Sequence, residues 1–279
     1  MAIRLSVVCE NSVGRPIAAL GEHGFSCLIE TQNGCWLFDA GNGSTLLHNL
    51  QVLGHDPHRI DGVILSHGHR DHTGGLKPLL AHIGPRPVYL HAGAFRRRFW
   101  QGVHERREIG LPWQRSALET LGAKLVLVDG LSEVSPQLTV SGPLPRKHSQ
   151  EAGDPHLVVE DAVAGEYCPD PFDDDMALAI TTSRGLAIVF GCAHAGLMNT
   201  VDFLREAFAG QPIHMLIGGT HLGPASDEQF AATLDYLDRL PFDRLGLSHC
   251  TGQMRAAELY ARYPNKVFFA SVGTSLEFP

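Results

Sequence analysis

Four times along this 279-residue chain, an apolar run ends in small residues, delivers one histidine and turns into a helical pattern. The runs and their histidines are Gly62–Leu65 with His67, Leu186–Phe190 with His194, His214–Ile217 with His221, and Arg244–Leu247 with His249. The helices that follow the last three are expected to reach about Phe208, Leu240 and Arg262. Strand–helix alternation of this kind predicts parallel strands in an α/β fold. Functional groups in such folds gather beyond the carboxyl ends of the strands. One histidine in that position is a coincidence, but four define a site.

The first of the four is the densest. Leu65-Ser-His-Gly-His-Arg-Asp-His-Thr-Gly-Gly75 packs three histidines and an aspartate into six positions. His67 and His69 are two apart, so they can project to one side and share a cation. Asp71 and His72 are adjacent and diverge from that pair toward a second cation. Imidazole nitrogens with a carboxylate suit zinc or a similar first-row divalent ion, whereas calcium takes more oxygen ligands. Three protein ligands per ion leave an open position for water, whose pKa then falls to about 7. Gly68 admits close packing of the imidazoles, and Gly74-Gly75 lets the backbone approach them. A solvated polar loop would take serine or lysine as readily, so the pattern reads as metal binding.

Elsewhere, Ile3–Cys9 reads as a strand. Phe25–Glu30 and Cys35–Phe38 read as a hairpin turned at Asn-Gly. Thr45–Leu53 reads as a helix capped by Ser44 and stopped by Gly54, and Gly75–Ile83 as another helix. Pro87–His91 and Lys266–Ala270 read as strands. From about residue 92 to 175 the chain is less regular, with arginines at 96, 97, 98, 106 and 107 and an acidic loop, Asp170–Asp175. We expect a helix with a solvated arginine face, plus an irregular excursion covering the site, all within one domain spanning 1–279.

At 44% hydrophobic residues the chain can bury a large core, and its net charge of −8 argues against nucleic acid or anionic membrane as a partner. The N-terminus lacks a secretory apolar run, and no segment approaches the ~18 apolar residues of a membrane span. Six cysteines without a C-x-x-C pair read as reduced thiols, so a cytoplasmic location is expected.

His67-Gly-His69-Arg-Asp71-His72 resembles the H-x-H-x-D-H signature of the metallo-β-lactamase superfamily, and Phe38-Asp39-Ala-Gly resembles its upstream turn. Glu10-Asn11, Glu22-His23-Gly24, Ser141-Gly-Pro-Leu-Pro-Arg146, Gly191-Cys-Ala-His194, Gly219-Thr-His221 and Ser248-His249-Cys look like one subgroup. Its archaeal members are described as 7,8-dihydropterin-6-methyl-4-(ribofuranosyl)aminobenzene 5′-phosphate synthases, and many bacterial ones as metal-dependent hydrolases. The resemblance implies an αββα sandwich with a metal site at one edge of the sheets. It also implies that His67, His69, Asp71 and His72 are ligands and that His249 joins Asp71 and His72 on a second ion. The chain departs from the pattern where Gly191-Cys192 stands in place of the usual Gly-Asp, whose carboxylate bridges both ions. It departs again at Asp173–Asp175, where a histidine is usual. His194 is the expected substitute ligand, with Cys192 open as a soft ligand or a buried thiol. Asp39 is expected to orient a ligand histidine or to hold its turn.

The expected function is a metal-dependent hydrolase acting on a small phosphorylated or ester-bearing metabolite through a metal-activated water. Asp71 and His221 would be catalytic, with Asp71 able to accept the water's proton and His221 either ligating or touching substrate. Metal ligands would be His67, His69, Asp71, His72, His194 and His249, holding one or two divalent ions. Zinc is expected, with Mn2+, Fe2+ or Mg2+ as alternatives. Arg146 is the expected anion partner, through paired guanidinium hydrogen bonds, and His23 a further substrate contact. Two rivals stand beside this reading. One is a synthase-like transferase, which needs a cavity able to stack a bicyclic ring on Phe95, Phe99, Trp100 or Trp113. The other is a metal-containing binding protein without turnover, suggested by the Asp-to-Cys departure.

Overall fold

The computed structural model describes residues 3–160 and 165–278. Two seven-stranded sheets form its centre. The first runs Ser275–Phe278, Ile3–Cys9, Ser26–Thr31, Gly34–Phe38, Gly62–Ile64, Arg86–Leu90, Ala123–Leu127 in spatial order. The second runs Val267–Phe269, Phe242–Ser248, Ile213–Gly219, Gly185–Phe190, Ala177–Thr182, Leu138–Val140, Ser132–Ser135. The expected parallel strands occupy one part of each sheet, and the remaining pairings are antiparallel.

Alternation along the strands builds three cores. Val189 and Ile217 point between the sheets, where they meet Leu5, Phe25, Phe38 and Ile64. Their neighbours Ile188 and Leu216 point the other way, onto helices Leu197–Ala207, Asp227–Arg239 and Gln253–Arg262. On the far side, Leu37, Val63 and Val88 pack under helices Leu46–Val52 and Leu76–Ile83. Both faces of each sheet are therefore covered, which is why these strands read as continuous apolar runs. Each such side chain contributes about 1.5–3 kcal/mol through burial. The layers are helix, sheet, sheet, helix.

Two local expectations change. Thr45, not Ser44, begins the helix Leu46–Val52, and its side chain makes no cap. The Glu22 carboxylate instead accepts the backbone N–H groups of Asn42, Gly43, Ser44 and Thr45, satisfying orphan donors from a distant loop. The arginine run is not a helix face. After one short turn at Ala92–Phe95, Arg98–Gln101 is a strand in a small antiparallel sheet ordered Tyr167–Pro169, Leu157–Glu160, Arg98–Gln101, Arg106–Glu108. Arg98 is fully buried and donates to Asp170 at 2.7 Å and Asp174 at 2.6 Å. Residues 161–164 of the excursion lie outside the described residues. Among the described residues, no helix is long and apolar enough to cross a membrane.

Candidate metal centre

Three parallel neighbours in the second sheet, Gly185–Phe190, Ile213–Gly219 and Phe242–Ser248, end at one rim. They release Cys192 with His194, then His221, then His249. Gly62–Ile64 in the opposite sheet releases His67 and the short helix Arg70–Thr73. The rim forces its backbone into unusual shapes. Asp39, Ala193, His221 and His249 hold φ values of 58°, 52°, 50° and 50°, in the left-handed region that side chains avoid. Such strain persists only where surrounding structure enforces it, and it gathers at functional sites.

Hydrogen bonds behind the rings decide which nitrogens are free. His72 Nδ1 lies 2.7 Å from Asp39 Oδ2, a carboxylate oxygen that only accepts, so Nδ1 carries the hydrogen. Asp39 also accepts the Ser66 N–H and Oγ–H, both at 2.7 Å, so Ser66 Oγ must accept from His67 Nδ1 at 2.8 Å. His249 Nδ1 lies 2.9 Å from Asn11 Oδ1, which also accepts the Gly24 N–H. In the neutral rings, the Nε2 atoms of His67, His72 and His249 are therefore bare. His72 Nε2 and His249 Nε2 face each other at 3.3 Å, with Asp71 Oδ2 3.1 Å from the latter. Converging acceptors repel unless a cation stands among them.

Burial and charge point the same way. Burial, reinforced by neighbouring imidazoles, holds His67 and His194 well below the ordinary histidine value, and burial with nearby Arg98 does the same for His69. These rings are neutral and keep their lone pairs. Burial opposes it, yet the Asp39 and Asp71 carboxylates push His72 up to about 9. Burial likewise opposes ionisation of Asp71, but His72 and the His23 and His249 rings hold its carboxyl well below the usual range. The pocket seeks positive charge, which a proton or a divalent ion can supply. His67 Nε2, His69 Nε2 and His194 Nδ1 are buried without any hydrogen-bond partner, and His69 Nδ1 sits 3.2 Å from His194 Nε2. The donor set fits a divalent metal.

Four of the six expected ligands, His67, His194, His72 and His249, fall into two clusters that share the Cys192 sulfur, and His69 stands in neither. The donors of His67, Cys192 and His194 lie within 4.8 Å of one another, and so do those of His72, Cys192 and His249. His23, Asp71 and His249 make a further cluster, with His23 Nε2 3.2 Å from Asp71 Oδ2. His221 adds its ring 4.4 Å from that of His194 and lies 3.7 Å from Asp154, with neither ring nitrogen hydrogen-bonded.

A cavity of about 530 Å³ opens over these groups. Its walls include His23, His69, Asp71, His194, His221 and His249 from the sandwich, and Trp100, Arg107, Ile109 and Leu157 from the small sheet and its flank. Arg146 is not among them. Its guanidinium donates to the His194 carbonyl at 2.6 Å, so it holds a loop and is not placed to clamp a substrate anion. Arg70 and Arg107 line the cavity instead. Of the four aromatic candidates only Trp100 faces it. Phe95 and Trp113 line a separate hollow, and Phe99 packs on Tyr167.

Several contributors were not legible as such. Glu10 accepts the His249 N–H at 2.7 Å, and Asn11 orients its ring. Asp175 accepts the Ala195 N–H at 2.7 Å, beside the His194 loop, and burial raises its carboxyl to about 7. Phe172 stacks on His194 at 4.1 Å. The subgroup-like Glu10-Asn11 pair and the acidic loop Asp170–Asp175 were the signals available for them.

Fold and site together define an αββα protein with a histidine-rich centre at the sheet edge. Residues 20–160 match the family model described as the metallo-beta-lactamase superfamily, and the chain belongs to that superfamily. It is 29% identical over 258 residues to the 7,8-dihydropterin-6-methyl-4-(beta-D-ribofuranosyl)-aminobenzene-5′-phosphate synthase of Methanocaldococcus jannaschii, covering 90% of this chain and 88% of that one. An uncharacterized protein of the same organism is 30% identical over 250 residues, covering 89% and 90%. The crystal structure of Tm1679, a metal-dependent hydrolase of the beta-lactamase superfamily, superposes with a TM-score of 0.79 at 27% identity, covering 98% of each chain. Members of the superfamily generally bind divalent metals.

Proposed function

We propose that this chain is a metal-dependent hydrolase of small phosphorylated or ester-bearing metabolites, with zinc as its ion. One observation carries the reading: bare Nε2 atoms of His67, His72 and His249 gather with the Asp71 carboxylate beside a cavity that Asp71 and His249 line. When bound there, a divalent ion would supply Lewis acidity and a water of lowered pKa. His67, His69 and His194 would hold one ion, and Asp71, His72 and His249 the second position. The chain's own groups do the rest. Where the second ion is weak or absent, the ionised Asp71 would take the water's proton instead of holding metal. His221, at the cavity wall, donates to or orients the substrate. Arg70 and Arg107 supply the cationic wall a phosphate needs, and Trp100 and Leu157 exclude water from one side.

The 29% identity to the synthase favours a second reading, a transfer reaction on a heteroaromatic substrate. Trp100 supports it too, since its indole lies in the cavity with the Arg107 guanidinium 4.6 Å from its centroid, setting a ring face beside a cation. The deciding experiment measures bound metal, then assays the loaded protein on phosphodiester, lactone and thioester substrates, and on a pterin with an aminobenzene ribofuranosyl phosphate acceptor. Hydrolysis abolished in His69→Ala upholds the first reading, and condensation alone upholds the second. Full metal occupancy without turnover on any substrate would overturn both in favour of a binding protein.

A further inference from the structure

Cys192 occupies the place where the two donor clusters meet. It follows the strand Gly185–Phe190 through Gly191, whose missing side chain lets the strand end press on Ser66 and Asp39; a Cβ there would lie 2.0 Å from Ser66 Oγ. The thiol is 2% exposed, and its Sγ lies 3.1 Å from His72 Nε2. It is the shared member of the His67/His194 cluster and the His72/His249 cluster, within 4.8 Å of every donor in each. A thiol hydrogen can satisfy one bare nitrogen. It leaves the buried His67 Nε2 and His69 Nε2 without partners, and those orphans point to a ligand beyond the protein.

We propose that Cys192, as a thiolate, bridges the two metal positions, standing in for a carboxylate. The inference rests on the metal-centre reading above. Taking up metal would release the thiol proton to solvent and leave the sulfur with lone pairs enough for both positions. Sulfur has the softness and the spare lone pairs for this role, and it selects zinc or cobalt over magnesium or manganese. The neighbouring Cys250 thiol does not share the position. It groups with Cys192 and His221 and with neither of the other clusters.

The test uses the full-length protein loaded with cobalt(II), then with zinc. Wild-type cobalt protein should show a near-ultraviolet thiolate-to-cobalt charge-transfer band at about two ions per chain. Cys192→Ser and Cys192→Asp should lose the band, with Cys192→Asp keeping two ions, while Cys250→Ser should retain it. X-ray absorption on the zinc protein should show a sulfur neighbour at about 2.3 Å that Cys250→Ser keeps and Cys192→Ser loses. A loaded wild type with only nitrogen and oxygen neighbours, or a band that survives in Cys192→Ser, overturns the bridge and leaves the metal centre standing. Failure of the wild type to take up any ion overturns both.

Discussion

Asp39 Oδ2 and His72 Nδ1 meet at 2.7 Å in a place that excludes water from both side chains. The same carboxylate accepts from Ser66, which in turn accepts from His67. One acid therefore sets the tautomer of two candidate ligands from behind. Replacing it should harm the centre without removing any donor from it. Asp39→Asn should weaken metal binding by about 10–100-fold, as loss of an outer hydrogen-bond partner does. Chelator competition on the purified protein measures it, and an unchanged affinity would show that the rings need no such support.

Turnover should rise through a single ionisation near neutrality and vanish in chelator, returning when zinc is restored. A flat profile between about pH 5 and 9 would contradict a metal-activated water.

The buried Arg98 holds Asp170 and Asp174, and Asp174 accepts the Gly68 N–H between the two leading histidines. Removing the cation leaves two carboxylates buried without it. Arg98→Met should cost about 3–5 kcal/mol of stability. Denaturant unfolding reads this directly, and adding Asp170→Asn should recover part of the loss. If Arg98→Met unfolds at the wild-type midpoint, the triad is not holding the small sheet in place.

Arg70 and Arg107 make a separable claim about substrate. Arg70→Ala and Arg107→Ala should each raise KM for a phosphorylated substrate by about tenfold, which is about 1.4 kcal/mol. KM for a neutral lactone should not move. Equal effects on both substrates would mean the arginines shape the wall without reading charge.

Acid stability offers a check far from the centre. Asp243 is held below the usual carboxylate range, chiefly by the hydrogen bond from His214, with burial opposing and Arg184 assisting. A depressed folded pKa adds stability above the unfolded value, near 3.9, that is lost as pH falls through the folded one. The group is half exposed, so the gain is under ~1 kcal/mol. The stability gap between wild type and Asp243→Asn should close on acidification. A gap that stays constant down to about pH 2 would show that ionisation of Asp243 is not its source.

Much of the sandwich was legible because its strands and helices are periodic. Leu186–Phe190, His214–Ile217 and Arg244–Leu247 all lie within strands of the second sheet. The small sheet was not legible. Arg98-Phe99-Trp100-Gln101 is too short to show alternation, and its first residue is an arginine that is fully buried only because two acids more than 70 positions away meet it. The histidines were read from spacing, which says nothing about what stands behind a ring. Glu10, Asn11 and Asp175 act through contacts that cross the chain, so the stretches that hold them stood out by resemblance while their roles did not. The placing of Arg146 away from the cavity was hidden for the same reason. Its partner, the His194 carbonyl, is 48 residues away.

The small sheet over the centre has a consequence for how proteins of this shape diversify. Its strands come from two stretches, 98–108 and 157–169, and every atom of the two donor clusters comes from elsewhere. The donor clusters and the Trp100, Arg107 and Leu157 side of the cavity are thus carried on different parts of the polypeptide. Substitutions in the canopy can therefore reshape the cavity without touching any donor of the floor beneath it.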